Sequence, residues 1–170
     1  MKKVILETNR LLLREKVDDD FEALSKIIKN PDGTPPSDEY VWKWLNWCKS
    51  CYEKYGFGLY AVIYKATDEM IGTCGISMQY IDDDWKPEIG YHLRGDYHHQ
   101  GLGKEVTTAL RDYFFNNFSY DEVYSYMDLD NVASYKTAES MGMKFLHLYT
   151  RDGKTYRVYR ITRDEWEQIK

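Results

Sequence analysis

Cysteine is scarce in this chain: Cys48, Cys51 and Cys74 are the only three in 170 residues. An odd, sparse set excludes a disulfide-stapled scaffold and fits a reducing cytoplasm, the expected location. Long apolar runs are missing too. Nowhere do about 18 apolar residues follow one another, so no membrane-spanning helix is expected. The apolar stretch after Lys2-Lys3 is only Val4-Ile5-Leu6, too short for a secretory leader. No block of Lys and Arg stands out, and 23 basic against 28 acidic residues leave a formal charge of -5. A run of phosphates would find no complementary stripe, so nucleic acid is not an expected partner. An acidic surface suits a cationic amine, though it serves solubility equally well.

Repeats, linkers and low-complexity segments are likewise absent, and the length suits one hydrophobic core. Residues 1–170 are therefore read as a single domain. Three residue groups imitate reactive or metal sites. Cys48-Lys49-Ser50-Cys51 has the spacing of a redox or metal pair, but it lies in a helical pattern without a second pair. Both thiols are expected to be buried structural groups. Asp82-Asp83-Asp84 lacks the alternating spacing of a calcium loop and reads as a solvated turn. His92, Asp96, His98 and His99 are of ligand type, yet adjacent imidazoles seldom converge on one ion, so no metal is expected.

What the chain does have is clear periodicity. Arg10-Leu11-Leu12-Leu13-Arg14 reads as a first strand, and Asp18-Asp19-Asp20 offers N-caps to a helix carrying Phe21, Leu24, Ile27 and Ile28 on one face. Asn30 to Pro36, with three prolines and Gly33, breaks the chain. Ser37 caps a second helix whose stripe runs through Val41, Trp44, Leu45, Cys48, Cys51, Tyr52 and Tyr55 and stops at Gly56. Strand-like runs follow at 57–64, 70–80 and 88–93, in an antiparallel meander. A long helix carries Leu102, Val106, Ala109, Leu110, Tyr113 and Phe114 on one face, and a strand at 123–127 completes a β-α-β passage. A shorter helix runs from Asn131 as N-cap to Gly142. Runs at 144–150 and 155–161 then flank Arg151-Asp152-Gly153-Lys154, a hairpin signal. The sheet is mixed and the class is α/β.

The chemistry concentrates where Glu88-Ile89-Gly90-Tyr91-His92-Leu93 leads into Gln100-Gly101-Leu102-Gly103-Lys104-Glu105 at the start of the long helix. Glycines let an anion approach the backbone, and the unpaired N–H groups of a first helical turn favour phosphate, a pyrophosphate above all. Lys104-Glu105-Val106 follows Gly103, so neither the Walker pattern nor the dinucleotide fingerprint is present. The preceding strands form hairpins rather than βαβ units, which disfavours NTPases and NAD enzymes.

Five segments in order resemble the GNAT superfamily, and within it the branch similar to acetyltransferases of ribosomal-protein N-termini. Thr8 to Arg14 resembles its opening strand, Ile71-Gly72-Thr73-Cys74-Gly75 its third, Glu88-Ile89-Gly90-Tyr91 its fourth and Gln100 to Glu105 its CoA loop. Asn131-Val132-Ala133-Ser134, with Glu139 and Gly142, resembles its later helix. The resemblance implies a twisted, mostly antiparallel sheet of about six to seven strands flanked by about four helices. It implies acetyl-CoA as cosubstrate, with pantetheine beside Tyr91, His92 and Leu93 and the pyrophosphate on the amides of His98, His99, Gln100, Gly101, Leu102, Gly103 and Lys104. Asn131 and Ser134 would face the pantetheine and sulfur. Two positions depart from the family: His98 stands where Gln or Arg is usual, and Ala138 where many members carry a tyrosine acid.

Acetyl transfer to an amine needs a base, a donor for the carbonyl oxygen and a stabilised leaving thiolate. Glu88 is the first candidate base and His92 the second, since an ordinary imidazole titrates near 6.5. A backbone N–H near His92 or Leu93 suits the oxyanion, a contact worth about 3 kcal/mol in other enzymes. Ser134 is placed to bond the sulfur. The acceptor, a small molecule or a peptide N-terminus, would meet Trp42, Trp47, Tyr80 or Trp85. A noncatalytic acyl-CoA-binding or regulatory module is the alternative, and a homodimer stays open.

Overall fold

In the computed structural model, which describes residues 2–170, the strands are β1 (Val4–Glu7), β2 (Leu11–Arg14), β3 (Leu59–Tyr64), β4 (Glu69–Ile81), β5 (Asp84–Leu93), β6 (Glu122–Asp128), β7 (Lys144–Arg151) and β8 (Lys154–Thr162). The helices are α1 (Phe21–Ile27), α2 (Asp38–Tyr55), α3 (Leu102–Asn117), α4 (Val132–Ser140) and α5 (Arg163–Ile169). One eight-stranded sheet runs β1-β2-β3-β4-β5-β6-β8-β7. Every neighbouring pair is antiparallel except β5 with β6.

The class is as expected, but one strand and one helix exceed the expectation. β1 is a short, half-exposed edge that folds back on β2 with Val4 opposite Arg14 and Glu7 opposite Leu12. Four residues carry too little alternation to register as a strand until a partner fixes them. α5 is only seven residues long and begins in a capping box. The Thr162 hydroxyl accepts from Glu165 N–H at 3.2 Å, and the Glu165 carboxylate accepts from Thr162 N–H at 3.0 Å. Trp166 is buried against Phe115, and Arg163 donates to the carbonyls of Phe115, Phe118 and Tyr120.

The acidic run before α1 also differs from its expectation. Asp20 makes no side-chain cap to the helix; it accepts from both terminal nitrogens of buried Arg14, at 2.8 and 2.9 Å, and from Val17 N–H. Ser37 does cap α2, accepting from Tyr40 N–H, and Gly56 ends it in the left-handed region at φ 78°. Cys48 and Cys51 are buried on its inner face. Asp82 and Asp83, at φ 55° and 63°, form a two-residue turn between β4 and β5, the positive-φ geometry that matches hairpin twist. β5 starts at Asp84, before Pro87, because its β6 edge is barely paired and tolerates a proline there.

α3 and α4 cover one face of the sheet. Leu102, Val106, Leu110 and Phe114 pack there with Leu13, Val62, Ile71 and Ile89. On the other face Leu24, Ile27, Val41 and Leu45 of α1 and α2 pack on Ala61, Ile63 and Met70. A third, small cluster of Ile81, Tyr124 and Val158 ties the β4–β5 hairpin tip to β8. No helix among the described residues is long and apolar enough to cross a membrane.

Candidate functional site

β5 and β6 oppose each other at one pair, Glu88 and Tyr124. Just past it the Ser125 hydroxyl donates to Ile89 O at 2.7 Å, and Glu88 Oε2 accepts from Tyr126 N–H at 3.4 Å. The strands then part. The cleft that opens measures about 360 Å³ and is bordered by Tyr91, His92 and Leu93 of β5, by His98, His99, Gly101, Leu102, Gly103 and Lys104, and by Asn131 and Ser134. Eleven residues singled out in the sequence thus meet at one place, with Tyr97, Ala133 and Thr137 completing the wall. Gln100 is the exception. Its side chain turns back to donate to Asp96 O, and its carbonyl accepts from Arg10.

The loop before α3 takes left-handed backbone at His99 (φ 60°) and Gly101 (φ 77°). The first helical bond runs from Glu105 N–H to Gly101 O, so the amides of Leu102, Gly103 and Lys104 precede the bonded turns. Gly103 is needed for contact: a Cβ there would lie 3.0 Å from the Tyr91 ring. His98 donates from Nε2 to Leu93 O at 2.7 Å, so its imidazole is committed to the end of β5.

A clamp that the sequence reading missed holds this loop from behind. Glu105 accepts from the Thr8 hydroxyl at 2.6 Å, from Arg10 N–H at 3.0 Å and from Arg10 Nε at 2.9 Å, while Arg10 Nη1 donates to Gln100 O. Burial works to raise Glu105, but these donors hold its carboxyl below its ordinary value. Thr8, Arg10 and Glu105 each sit in a family-like segment, and that co-occurrence was the available signal.

Two smaller spaces, of about 90 Å³ and about 300 Å³, adjoin the cleft. Ser134 borders all three spaces, and Glu88 borders both smaller ones. Burial pushes the Glu88 carboxyl up to about 8, with Tyr126 N–H opposing. The carboxyl folds over Gly90, where a Cβ would stand 3.3 Å from its Oε1. His92 shares the strand face with Glu88, roughly 13 Å further along at the usual rise per residue, and borders only the large cleft. Desolvation lowers His92, against a bond with the Ile27 backbone.

The Tyr91 hydroxyl crosses to α4 and donates to Thr137 Oγ1 at 2.9 Å. Ala138, one turn below Ser134, is buried in the wall of the 90 Å³ space, and Tyr135 turns away to stack parallel to Tyr159. The aromatics singled out for the acceptor border none of the three spaces. Trp42 stacks on Phe21 and Trp85 meets Tyr80 edge-on. Tyr126 and Tyr156, with ring centroids 5.3 Å apart, border the space before Glu88 together with Asp128. Asp96 pairs with Arg94 at 2.8 and 2.9 Å. Among the described residues no three His, Cys, Asp or Glu side chains gather as a metal cradle.

The family model described as an acetyltransferase (GNAT) domain matches residues 10–144. The uncharacterized protein YkkB of Bacillus subtilis (strain 168) is 30% identical over 163 residues, covering 92% of this chain and 95% of its own. The solved acetyltransferase from Agrobacterium tumefaciens str. C58 is 27% identical, with a TM-score of 0.77 and 92% of each chain covered. RimL, a ribosomal L7/L12 alpha-N-protein acetyltransferase solved in complex with coenzyme A, shares the fold at 17% identity and a TM-score of 0.76, covering 94% of this chain and 98% of its own.

Proposed function

The chain belongs to the GNAT acetyltransferase family, and from that premise we propose an N-acetyltransferase that moves an acetyl group from acetyl-CoA to a primary amine by direct attack in a ternary complex. Residues 1–170 act as one catalytic domain, working in a reducing cytoplasm that suits its three free, buried thiols. The observation that carries the reading is the buried Glu88 carboxyl, set where β5 and β6 part and sharing its space with Ser134.

When bound, acetyl-CoA supplies an activated thioester carbonyl. The open edge of β5 at Tyr91, His92 and Leu93 holds the pantetheine amides as a further strand would, and the amides from His98 to Lys104 receive the pyrophosphate. Asn131 and Ser134 face the arm from α4. Glu88, ionised above its raised pKa, takes the proton that the amine loses as nitrogen bonds to the carbonyl carbon, directly or through a water. A backbone N–H near His92 or Leu93 donates to the carbonyl oxygen as charge develops there. As the C–S bond breaks, the Ser134 hydroxyl donates a hydrogen bond to sulfur, and the thiolate takes a proton from solvent and leaves as CoA while Glu88 releases to solvent the proton it took from the amine. His92 is the second candidate base; Glu88 is preferred because only Glu88 borders both small spaces with Ser134.

Tyr126, Tyr156, Glu88 and Asp128 make the space before the base aromatic and acidic, which suits a cationic amine, either a small molecule or a peptide N-terminus. RimL, which shares the fold, is a ribosomal L7/L12 alpha-N-protein acetyltransferase. Calorimetric titration of wild type and Gly101→Glu with acetyl-CoA, and separately with CoA, tests the donor. Micromolar binding by wild type that the variant loses is expected; no binding by folded wild type overturns the reading. Ala138 at the usual tyrosine position favours a second reading, a noncatalytic acyl-CoA-binding module. Transfer of labelled acetyl to an amine pool separates the two.

A further inference from the structure

The 90 Å³ space shares Tyr91, Ser134 and Thr137 with the large cleft and Glu88, Tyr126, Met127 and Ser134 with the space before Glu88, and Ala138 is in its wall. Residues four apart on a helix stack on one face, so a group passing Ser134 meets Ala138 one turn further in. A larger side chain there would fill the space. Its apolar wall is Ile89, Met127, Ala138 and Met141. Three of its polar groups are already bonded within the protein: Tyr91 OH to Thr137 Oγ1, Thr137 Oγ1 to Ala133 O, and Ser125 Oγ to Ile89 O. Arg111 Nη1 donates to Met141 O and holds the back of the wall in place. No Lys or Arg borders the space, and its one ionisable carboxylate is Glu88. By volume it holds several atoms beyond the single water that needs roughly 10–15 Å³.

We propose that this space is an acyl-chain pocket, so that the enzyme takes unbranched donors of three to four carbons, propionyl- and butyryl-CoA, as well as acetyl-CoA. The inference rests on the donor reading above. With the thioester beside Ser134, the alkyl tail points at Ala138 and replaces water against Ile89, Met127 and Met141. A tail ending in a carboxylate would bury its charge with no cation to pair it, so succinyl-CoA is excluded. Each methylene that leaves water contributes about fourfold in affinity, from about 0.8 kcal/mol per buried CH₂.

Calorimetric titration of the full chain with acetyl-, propionyl-, butyryl-, hexanoyl- and succinyl-CoA tests this without knowledge of the acceptor. Affinity should rise about fifteenfold from acetyl to butyryl, at two methylenes of about fourfold each, fall at hexanoyl, and be weakest for succinyl. In Ala138→Leu the preference for butyryl over acetyl should vanish. The wild-type series decides by itself if that variant does not fold. A steady fall from acetyl onward, a steady rise through hexanoyl, or tight succinyl binding overturns the pocket while leaving the donor reading intact. Failure of every thioester to bind overturns both.

Discussion

The two edges of β5 are built differently. Toward β4 it is paired along its whole length, from Gly72 opposite Leu93 to Ile81 opposite Asp84. Toward β6 it is paired at Glu88 alone. A strand with one free edge usually exposes orphan N–H and C=O groups as an aggregation hazard. Here the free edge lies inside the molecule, between α3 and α4, where those groups face a cleft instead of another chain. The paired edge holds the strand in register, and in the proposed mechanism that rigidity fixes the Glu88 carboxylate where β6 departs and the backbone donors of the open stretch beyond it. Stability and chemistry are therefore divided between two sides of one strand, and substitutions on each side should fail in different ways.

The largest effect should come from the open edge. Glu88→Gln should lower kcat/KM by about 10²- to 10⁴-fold, the usual contribution of a general base. Wild-type kcat/KM should climb with pH until the carboxyl ionises near 8, and the variant's profile should lose that limb. Unchanged turnover and pH dependence would remove Glu88 from the mechanism. Donor affinity should stay close to wild type, since Glu88 does not border the large cleft.

On the paired side, Gly75→Val should break the fold rather than the chemistry. A Cβ at Gly75 would lie 2.0 Å from Gly58 O and 2.6 Å from Leu59 Cα, both backbone atoms that cannot move aside. A loss of about 3 kcal/mol or more in urea unfolding is expected, at or beyond the upper range for overpacking. Retained stability would mean that β3 and β4 can separate more easily than their close register suggests.

The same carboxylate links the two sides through pH. Glu88 has its folded pKa raised from 4.5 to about 8, so between those values the folded state holds a proton that the unfolded state has released. Stability from this group is present below pH 4.5 and is lost as pH rises toward 8, at about 1.4 kcal/mol per pH unit. Glu88→Gln removes that slope. The Tm of the variant should therefore gain on wild type steadily from pH 5 to pH 8; parallel Tm curves would mean that Glu88 is ionised without cost.

Much of this division was legible in the sequence, for physical reasons that also mark where legibility ended. Helices α2 and α3 declare themselves through apolar residues at helical spacing and through local caps, Ser37 and Gly56 among them. The glycine loop before α3 is read from Gly101 and Gly103 because their demands are local: positive φ at the first and close approach to Tyr91 at the second. β1 and α5 stayed hidden because segments of four and seven residues gain their stability from partners distant in sequence, Arg14 opposite Val4 and Phe115 against Trp166. The Arg14–Asp20 pair and the buried Lys16, which donates to Leu59 O and Thr73 Oγ1, have no periodic signature at all. Trp42, Trp47, Tyr80 and Trp85 suggested an acceptor surface by composition alone, whereas Tyr126 and Tyr156 come to border the space before Glu88 through the pairing of β6 with β8, Tyr126 opposite Val158.

The Arg10–Glu105 clamp couples the outer edge of the sheet to the open side, and its loss should be felt in binding before stability. Arg10→Ala removes an ion pair at 2.9 Å and a bond to Gln100 O but leaves Glu105 bonded to Thr8. Arg10 is partly exposed, so screening reduces the pair's worth. A threefold to tenfold weaker acetyl-CoA affinity by calorimetry is expected, near 1 kcal/mol for one charge-assisted bond in this setting. Affinity equal to wild type would show that Gly101 and His99 hold the loop shape unaided.

The smallest effect should fall on Ser134, although it borders every part of the cleft. In the proposed mechanism its hydroxyl donates to the departing sulfur, but a thiolate is a stable leaving group, and holding amine and thioester together should supply most of the gain. Its backbone N–H already bonds to Asn131 Oδ1 at 3.2 Å, so the α4 cap survives replacement by alanine. Ser134→Ala should thus lower kcat by about twofold to fivefold, well short of a general acid's contribution, with KM for the donor unchanged. A fall to the level of Glu88→Gln would mean that the leaving-group proton, and not only the amine proton, is controlled from the open side of β5.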